Sequence, residues 1–305
     1  MFDLPSLAHL YHSFPSEASA PVRTFELNGS AFGRLGEPGV LGVINLSPDS
    51  WYRESVCLST EAAVRRGRVL RAHGASAIDV GAESSLAHAA RADANSQVKR
   101  LVPVVHELAR DGCLVSVESY HPEVTRACLD AGARIINLTG QDETGEILRQ
   151  VADVDGGLIL CFVQGPNVRS VGELSLTSDP IPMLYEYFAR QSERASNAGV
   201  RKLFIDPGLG FYYRNLQDSS TRIRYQMQVF LNSFRLRPLG FPICNALPHA
   251  FEAFGEEVRS AEGFFCVVAA LGGTHLFRTH EVAKIRAILE VMTMAASREN
   301  PLSSV

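Results

Sequence analysis

The sequence predicts an α/β protein folded as a single (β/α)8 barrel with a short N-terminal extension and a hairpin, and three observations support this prediction. The chain has 305 residues, of which 46% are hydrophobic, so it can bury one large core. From residue 40 onward, short apolar, β-branched runs alternate with longer segments of helical periodicity, as repeated βα units do. Eight such runs are present, which is the number of strands that closes this type of barrel.

The N-terminal region differs in composition from the rest of the chain. Residues 1–20 are rich in Pro, Ser and Ala, and we expect an irregular lead-in there. The following segment VRTFELNGSAFGRLG alternates apolar residues around Asn28 and Gly29, which predicts a short hairpin. We therefore expect the barrel domain at 21–295 and a C-terminal tail at 296–305.

The barrel strands can be placed by their apolar, β-branched composition. They are predicted at 40–46, 76–83, 114–119, 134–139, 158–163, 202–207, 242–246 and 275–280. The intervening segments have helical periodicity, and several of them end near a glycine, where a left-handed residue costs least. The glycines Gly74, Gly112, Gly132 and Gly199 are therefore interpreted as helix ends and not as catalytic residues.

Composition excludes several classes of function. Charged residues make up 20% of the chain and the net charge is -4, so there is no basic field to bind nucleic acid. No cationic leader and no run of about 18 apolar residues occurs, so we expect a cytoplasmic protein without membrane contacts. The six cysteines lack CxxC or Cys/His ligand spacing, which predicts reduced thiols rather than a structural zinc site.

Polar side chains follow the apolar part of six predicted strands. They are Asn45, Asp79 with Glu83, Glu118, Asn137, Asp206, and Arg278 with His280. In a parallel barrel the C-terminal ends of all strands meet on one face, where the active site usually lies. An Asn or Asp at a strand end can instead cap a helix or form an Asx turn, but recurrence over six strands favours a common pocket.

The chemistry of these side chains indicates the kind of ligand. Carboxylates and Asn amides recognise the amino-amide edge of a flat heterocycle, whereas Arg and His bind phosphate oxygens. The sequence therefore predicts a small-molecule substrate that carries both a heterocyclic ring and a phosphorylated group.

Five segments in order resemble the dihydropteroate synthases, folate-pathway enzymes that join a pterin methyl pyrophosphate to p-aminobenzoate. They are VINLSPDSW (43–51), IDVGAESS (78–85), SVESYHPEVTRACLDAGARIINLTG (116–140), FIDPGLGF (204–211) and FRTHEV (277–282). The resemblance implies a pterin-binding (β/α)8 barrel and a transferase of folate biosynthesis. It also implies a homodimer.

The resemblance implies roles for individual positions. The pterin ring would be bound by Glu118, Asn137, Asp206, Phe211, Cys161 and His249. The catalytic positions would be Asn45, Arg278, His280 and His249, with Asn45 also the ligand of a Mg²⁺ that accompanies the substrate diphosphate. Trp51, Ser85 and Leu86 belong to loops that would face the amine acceptor. Asp79 and Glu83, of the second-strand motif, would either contact the ligand directly or support the loops by hydrogen bonds.

The departures from the family pattern cluster in the parts that would carry transfer to the second substrate. His249 stands where the family has a pterin-contacting Lys, and Leu86 stands where it has an Arg that approaches the pyrophosphate. Glu118 replaces a shorter Asp. Because each charge-assisted contact contributes about 1.5–3 kcal/mol, the loss of two cations weakens the hold on the departing diphosphate.

Alternative functions therefore stay open beside dihydropteroate synthase activity. A diverged paralogue would use another acceptor or perform a different pterin-dependent transfer. A non-catalytic protein would bind a pterin only to sense or regulate. An unrelated phosphate-handling barrel would bind no pterin at all, so ligand binding separates it from the others.

Overall fold

The computed structural model describes residues 3–34, 36–49, 55–84, 91–210, 213, 215–216 and 218–296. The strands are β1 (Phe25–Leu27), β2 (Ser30–Phe32), β3 (Gly39–Asn45), β4 (Ala77–Gly81), β5 (Val115–Ser119), β6 (Ile135–Leu138), β7 (Gly157–Cys161), β8 (Lys202–Asp206), β9 (Cys244–Ala246) and β10 (Leu276–Thr279). The α-helices are α1 (Leu4–Ser13), α2 (Pro15–Ser19), α3 (Thr60–Ala72), α4 (Ala94–Arg110), α5 (Pro122–Asp130), α6 (Glu146–Asp153), α7 (Ile181–Asn197), α8 (Ser219–Asn232), α9 (Phe251–Phe254), α10 (Val258–Leu271) and α11 (Val282–Ala296). A 3-10 helix spans Ser233–Leu239.

Strands β3 to β10 form one parallel sheet in the order β8-β7-β6-β5-β4-β3-β10-β9. The two outer strands meet at a parallel bridge between Ile205 and Ile243, where the amide of Ile205 donates to the carbonyl of Pro242 at 3.1 Å. Strand β9 is shorter than predicted because Pro242 has no N–H to donate to a ladder. The predicted (β/α)8 barrel is confirmed.

The predicted hairpin closes the N-terminal end of the barrel. Its turn uses Asn28 and Gly29, both with positive φ (51° and 78°), as a tight two-residue hairpin requires. Phe25 and Phe32 on its two strands pack edge-on against Phe204 of β8, with ring centroids 5.0 and 5.2 Å away. The hairpin therefore fills this end of the barrel and leaves the opposite end for a ligand.

The N-terminal lead-in is helical, so the prediction of an irregular segment was wrong. The side chain of Asp3 caps α1 by accepting from the amide of Ser6 at 2.9 Å, and both α1 and α2 carry Pro in their first turn. Proline is compatible with the start of a helix because its missing N–H has no partner there. Arg237 anchors this segment by donating to the carbonyl of Ala18 at 2.6 Å.

Most barrel strands are buried on both faces, since one face lines the interior and the other packs against the helices. Asp79 of β4 and Glu262 of α10 are charged side chains that are fully buried. Among the described helices, none is both long enough and apolar enough to cross a bilayer.

Candidate functional site at the strand ends

The alternation of side chains along each strand places the polar strand-end residues inside the barrel. Ile135 and Leu276 belong to the apolar cluster of the interior, together with Phe32 of the hairpin. Asn137 and Arg278 lie two residues further along the same strands, so they face the same interior one layer higher. The same spacing applies to Asp79, Glu118, Cys161 and Asp206.

Asp79 is the centre of a buried polar network. It is fully buried and its carboxylate accepts from Nε of Arg278 at 2.7 Å. It also accepts from Oγ of Ser116 at 2.6 Å and from Nδ2 of Asn137 at 3.1 Å. Three donors compensate the buried charge. Asp79 therefore holds other site residues in place. It is not part of the lining of the cavity described below, and it lies behind that lining.

Arg278 joins two carboxylates. Besides Asp79, its guanidinium donates to Oε2 of Glu118 at 2.6 Å. Burial raises the pKa of Glu118 to about 7, although the charge of Arg278 acts in the opposite direction. Glu118 can therefore exchange a proton near neutral pH, a property common at functional sites.

Asp206 and Asn137 both line the cavity, on strands β8 and β6, which are separated by β7. Asp206 is almost fully buried and accepts from the amide of Gly208 at 2.8 Å. Burial raises the pKa of Asp206 to about 6, despite that hydrogen bond. The Oδ1 atom of Asn137 accepts from the thiol of Cys161 at 3.1 Å. Two carboxyl groups with raised pKa values and one oriented amide thus converge on one cavity.

One cavity brings together the predicted site residues that the structure describes, except Asp79, which lies behind its lining. The predicted residues in its lining are Asn45, Glu83, Glu118, Asn137, Cys161, Asp206, His249, Arg278 and His280. The predicted positions Trp51, Ser85, Leu86 and Phe211 lie outside the described residues. The ring of Tyr213 is buried. Its hydroxyl accepts a hydrogen bond from the amide of Gln164 at 3.3 Å.

Two imidazoles at one side of the cavity share a carboxylate that the sequence reasoning did not identify. Oε1 of Glu262 lies 3.1 Å from Nε2 of His249 and 3.0 Å from Nδ1 of His280. Although burial opposes ionisation, hydrogen bonds from both imidazoles hold the pKa of Glu262 below its usual range. The sequence offers one indication of this role: Glu262 lies in the apolar run AEGFFCVV, and a buried charge in such a run requires a partner.

Glu83 fixes loops at the mouth of the cavity. It accepts from the hydroxyl of Tyr120 at 2.6 Å and from the amide of Ala92 at 3.1 Å. Nε of Arg169 lies 3.7 Å from Glu83, and the same guanidinium donates to the carbonyl of Ser84 at 2.9 Å. Glu83 thus supports the loops and also lines the cavity. Arg169 was missed because its segment has no periodicity to place it.

Helix α8 adds two more polar residues to the lining. Arg222 and Gln226 lie one turn apart and both are nearly buried. Arg222 donates to the carbonyl of Leu216 at 3.1 Å, and Gln226 donates to that of Leu209 at 2.9 Å. Their i, i+4 spacing on a buried helix face was a usable signal.

The fold and the site together define a barrel enzyme that binds a small ligand at the carboxyl ends of its strands. The family profile described as pterin binding enzyme matches residues 41–280. The dihydropteroate synthase of Escherichia coli K12 is 30% identical over 274 residues, which cover 87% of this chain and 95% of the relative. The dihydropteroate synthase of Mycobacterium leprae is 30% identical over 252 residues, covering 80% and 88%. The chain belongs to the family of pterin-binding enzymes, as a dihydropteroate synthase-like transferase.

Solved structures agree with this assignment. Dihydropteroate synthase from Xanthomonas albilineans in complex with 7,8-dihydropteroate superimposes with a TM-score of 0.73 at 26% identity, covering 90% of this chain and 99% of that chain. The Burkholderia cenocepacia dihydropteroate synthase complexed with 7,8-dihydropteroate also gives a TM-score of 0.73 at 26% identity, covering 92% and 99%. The barrel of this chain thus matches theirs over nearly its whole length.

Proposed function

We propose that the protein transfers the pterin-methyl group of a 6-hydroxymethyl-dihydropterin diphosphate to p-aminobenzoate or a related amine. The bond between the methyl carbon and the diphosphate oxygen breaks, and pyrophosphate leaves with the bonding electrons. The amine nitrogen forms the new C–N bond and loses a proton to solvent. The observation that carries this proposal is the convergence of Glu118, Asn137 and Asp206 on one cavity.

The strand-end residues suit the polar edge of the pterin ring. That edge presents an amino group and a ring N–H, both of which donate to a carboxylate. Asp206 is oriented by the amide of Gly208, and Asn137 is oriented by Asp79 and Cys161. Because these partners fix the side chains before the ligand arrives, little reorganisation is required on binding.

The cationic side chains of the lining suit the diphosphate. His280 and Arg278 line the cavity, and Arg222 of α8 brings a second guanidinium to the lining. Cations near the departing oxygens stabilise the negative charge that develops as pyrophosphate leaves. The family's missing Lys and Arg are thus partly compensated by cations from other elements.

Mg²⁺ binding with the diphosphate is part of the proposal. The amide of Asn45 lines the cavity and its Nδ2 donates to Oγ of Ser55 at 2.6 Å, which orients the side chain. An amide oxygen and phosphate oxygens are ligands that Mg²⁺ prefers, so Asn45 fits this ion. When bound, the ion would neutralise charge on the leaving diphosphate.

We also propose that the protein is a homodimer and that it is located in the cytoplasm. Light scattering would test the oligomeric state, and cell fractionation would test the location.

The reaction can be tested directly with purified protein, the dihydropterin diphosphate, Mg²⁺ and p-aminobenzoate. We expect stoichiometric formation of pyrophosphate and dihydropteroate. If the protein binds the pterin diphosphate but forms neither product, p-aminobenzoate is not its acceptor. A mass-spectrometric screen of other arylamines then separates a diverged transferase from a non-catalytic pterin-binding protein.

A further inference from the structure

We propose that His249, Glu262 and His280 form a binding site for a divalent transition metal ion of the Zn²⁺ type. One ligand atom from each residue lies within 4.8 Å of the other two. Both imidazole nitrogens approach the same oxygen, Oε1 of Glu262, at 3.1 and 3.0 Å. This metal site is separate from the proposed transfer reaction, and its binding of metal can be measured in the absence of a pterin.

The three side chains are a suitable ligand set for such an ion. Zn²⁺ binds imidazole nitrogen and carboxylate oxygen, and catalytic zinc sites commonly use three protein ligands. Two imidazoles with one carboxylate also suit other transition metals, whereas Mg²⁺ and Ca²⁺ prefer oxygen ligands. The chemistry of this cluster therefore differs from that of the proposed diphosphate-bound Mg²⁺ near Asn45.

The surroundings orient the carboxylate. The hydroxyl of Thr279 donates to Oε2 of Glu262, and the amides of His280 and Glu281 approach the same carboxylate at 3.3 Å. These contacts direct Oε1 toward the two imidazoles. Hydrogen bonds that orient a ligand in this way are typical of metal sites.

The cluster is placed on three separate elements of the barrel. His249 follows β9, His280 follows β10, and Glu262 projects from α10. Both imidazoles line the cavity, whereas Glu262 is fully buried behind them. A metal ion held by the three would thus have its open coordination position toward the cavity, available to water or to a phosphate oxygen.

The charge balance also favours a cation. Glu262 is a fully buried carboxylate, and a buried negative charge is stabilised by a nearby cation. A divalent ion bound by the three side chains would supply that positive charge beside the cavity that His249 and His280 line.

The test is calorimetric titration of the full chain with Zn²⁺ after removal of metals by a chelator. We expect one equivalent of Zn²⁺ to bind, Mg²⁺ not to compete, and Co²⁺ to bind with a visible absorption band. Added Zn²⁺ should also raise the melting temperature. Absence of stoichiometric Zn²⁺ binding would overturn the proposal.

Substitutions of single ligand residues test whether the ion binds at this cluster. Glu262→Gln and His249→Gln should each weaken Zn²⁺ binding more than about 100-fold, since loss of an outer hydrogen bond alone costs about 10–100-fold. His106→Gln is the matched control, because it removes an exposed imidazole that lies 3.3 Å from Glu107. If His106→Gln weakens binding, or both cluster variants retain it, the assignment is wrong. Circular dichroism checks folding, and His249→Gln carries the test if Glu262→Gln does not fold.

Discussion

Two regions of the cavity differ in how they are built. The floor is lined by Glu118, Asn137, Asp206 and Arg278, which come from strands, and hydrogen bonds across the barrel join Arg278 to Glu118 and join Asp79, behind the lining, to Arg278 and Asn137. The mouth is lined by Glu83, His249 and His280, which come from loops and are contacted by Arg169 of another loop and by Glu262 of α10. Of the departures from the family pattern described above, Glu118 lies in the floor and His249 lies in the mouth. We propose that the floor binds the ligand ring and that the mouth, together with Arg278, faces the diphosphate.

A physical reason underlies this difference. Each floor residue is fixed by the register of a parallel sheet, so a change there disturbs neighbouring strands. Loops at the carboxyl ends of a barrel can change without disturbing the sheet, and new chemistry usually arises there. The following predictions test this division in order of decreasing effect.

The largest expected effect follows from disrupting the floor itself. Asp79→Ala removes the acceptor shared by Arg278, Ser116 and Asn137. Breaking a buried charge pair costs about 3–5 kcal/mol, so we expect the free energy of unfolding to fall by about that amount. Urea denaturation measures it. A loss below about 1 kcal/mol would show that the floor is not an integrated unit.

The next effect concerns ring recognition. Asp206→Asn replaces a carboxylate by an amide, whose NH2 faces the donors of the pterin edge, so affinity for the pterin should fall about 100-fold or more. Calorimetry with the dihydropterin diphosphate measures this change. Asp155→Asn, at an exposed carboxylate paired with Arg201 and Lys202, is the control and should leave affinity unchanged. Equal affinity in Asp206→Asn and wild type would refute the role of the floor.

Ligand affinity should also depend on pH. Burial raises the pKa of Asp206 to about 6, and only its ionised form accepts both donors of the pterin edge. Binding should therefore weaken as pH falls through 6, by up to about 10-fold per pH unit. Affinity measured between pH 5 and pH 8 tests this expectation. A profile that is flat over this range would mean that Asp206 does not accept from the ring.

A smaller effect is expected for stability. Burial raises the pKa of Glu118 from 4.5 to about 7, so the folded state binds more protons than the unfolded state between these values. The contribution of Glu118 is therefore fully present below pH 4.5 and is lost as pH rises through 7. Relative to Glu118→Gln, the wild type should become less stable over this interval. A constant difference in unfolding free energy across the interval would contradict this.

The sequence predicts the floor better than the mouth. Asn137 and Arg278 could be assigned because the period of two along a strand fixes which side chains face the interior. Glu262 lies within an apolar helix and contacts residues from two distant loops, so no local pattern reveals its partners. Arg169 lies in a loop whose course depends on tertiary contacts with Ser84 and Glu83.

The helical lead-in gives a related lesson. The proline and serine content predicts irregular structure, but Pro15 occupies the first turn of α2, where proline is tolerated. The strands agree with prediction because their apolar runs are dictated by burial on both faces. Composition alone is less informative for a segment whose fold depends on packing against the 3-10 helix at Ser233–Leu239.

We propose that the floor of the cavity binds a pterin ring while the mouth faces its diphosphate. A crystal structure with the dihydropterin diphosphate bound tests it most directly. We predict that the ring lies within hydrogen-bond distance of Glu118, Asn137 and Asp206, with the diphosphate directed toward Asn45 and His280. A ring bound elsewhere, with these three side chains making no contact to it, would contradict the account.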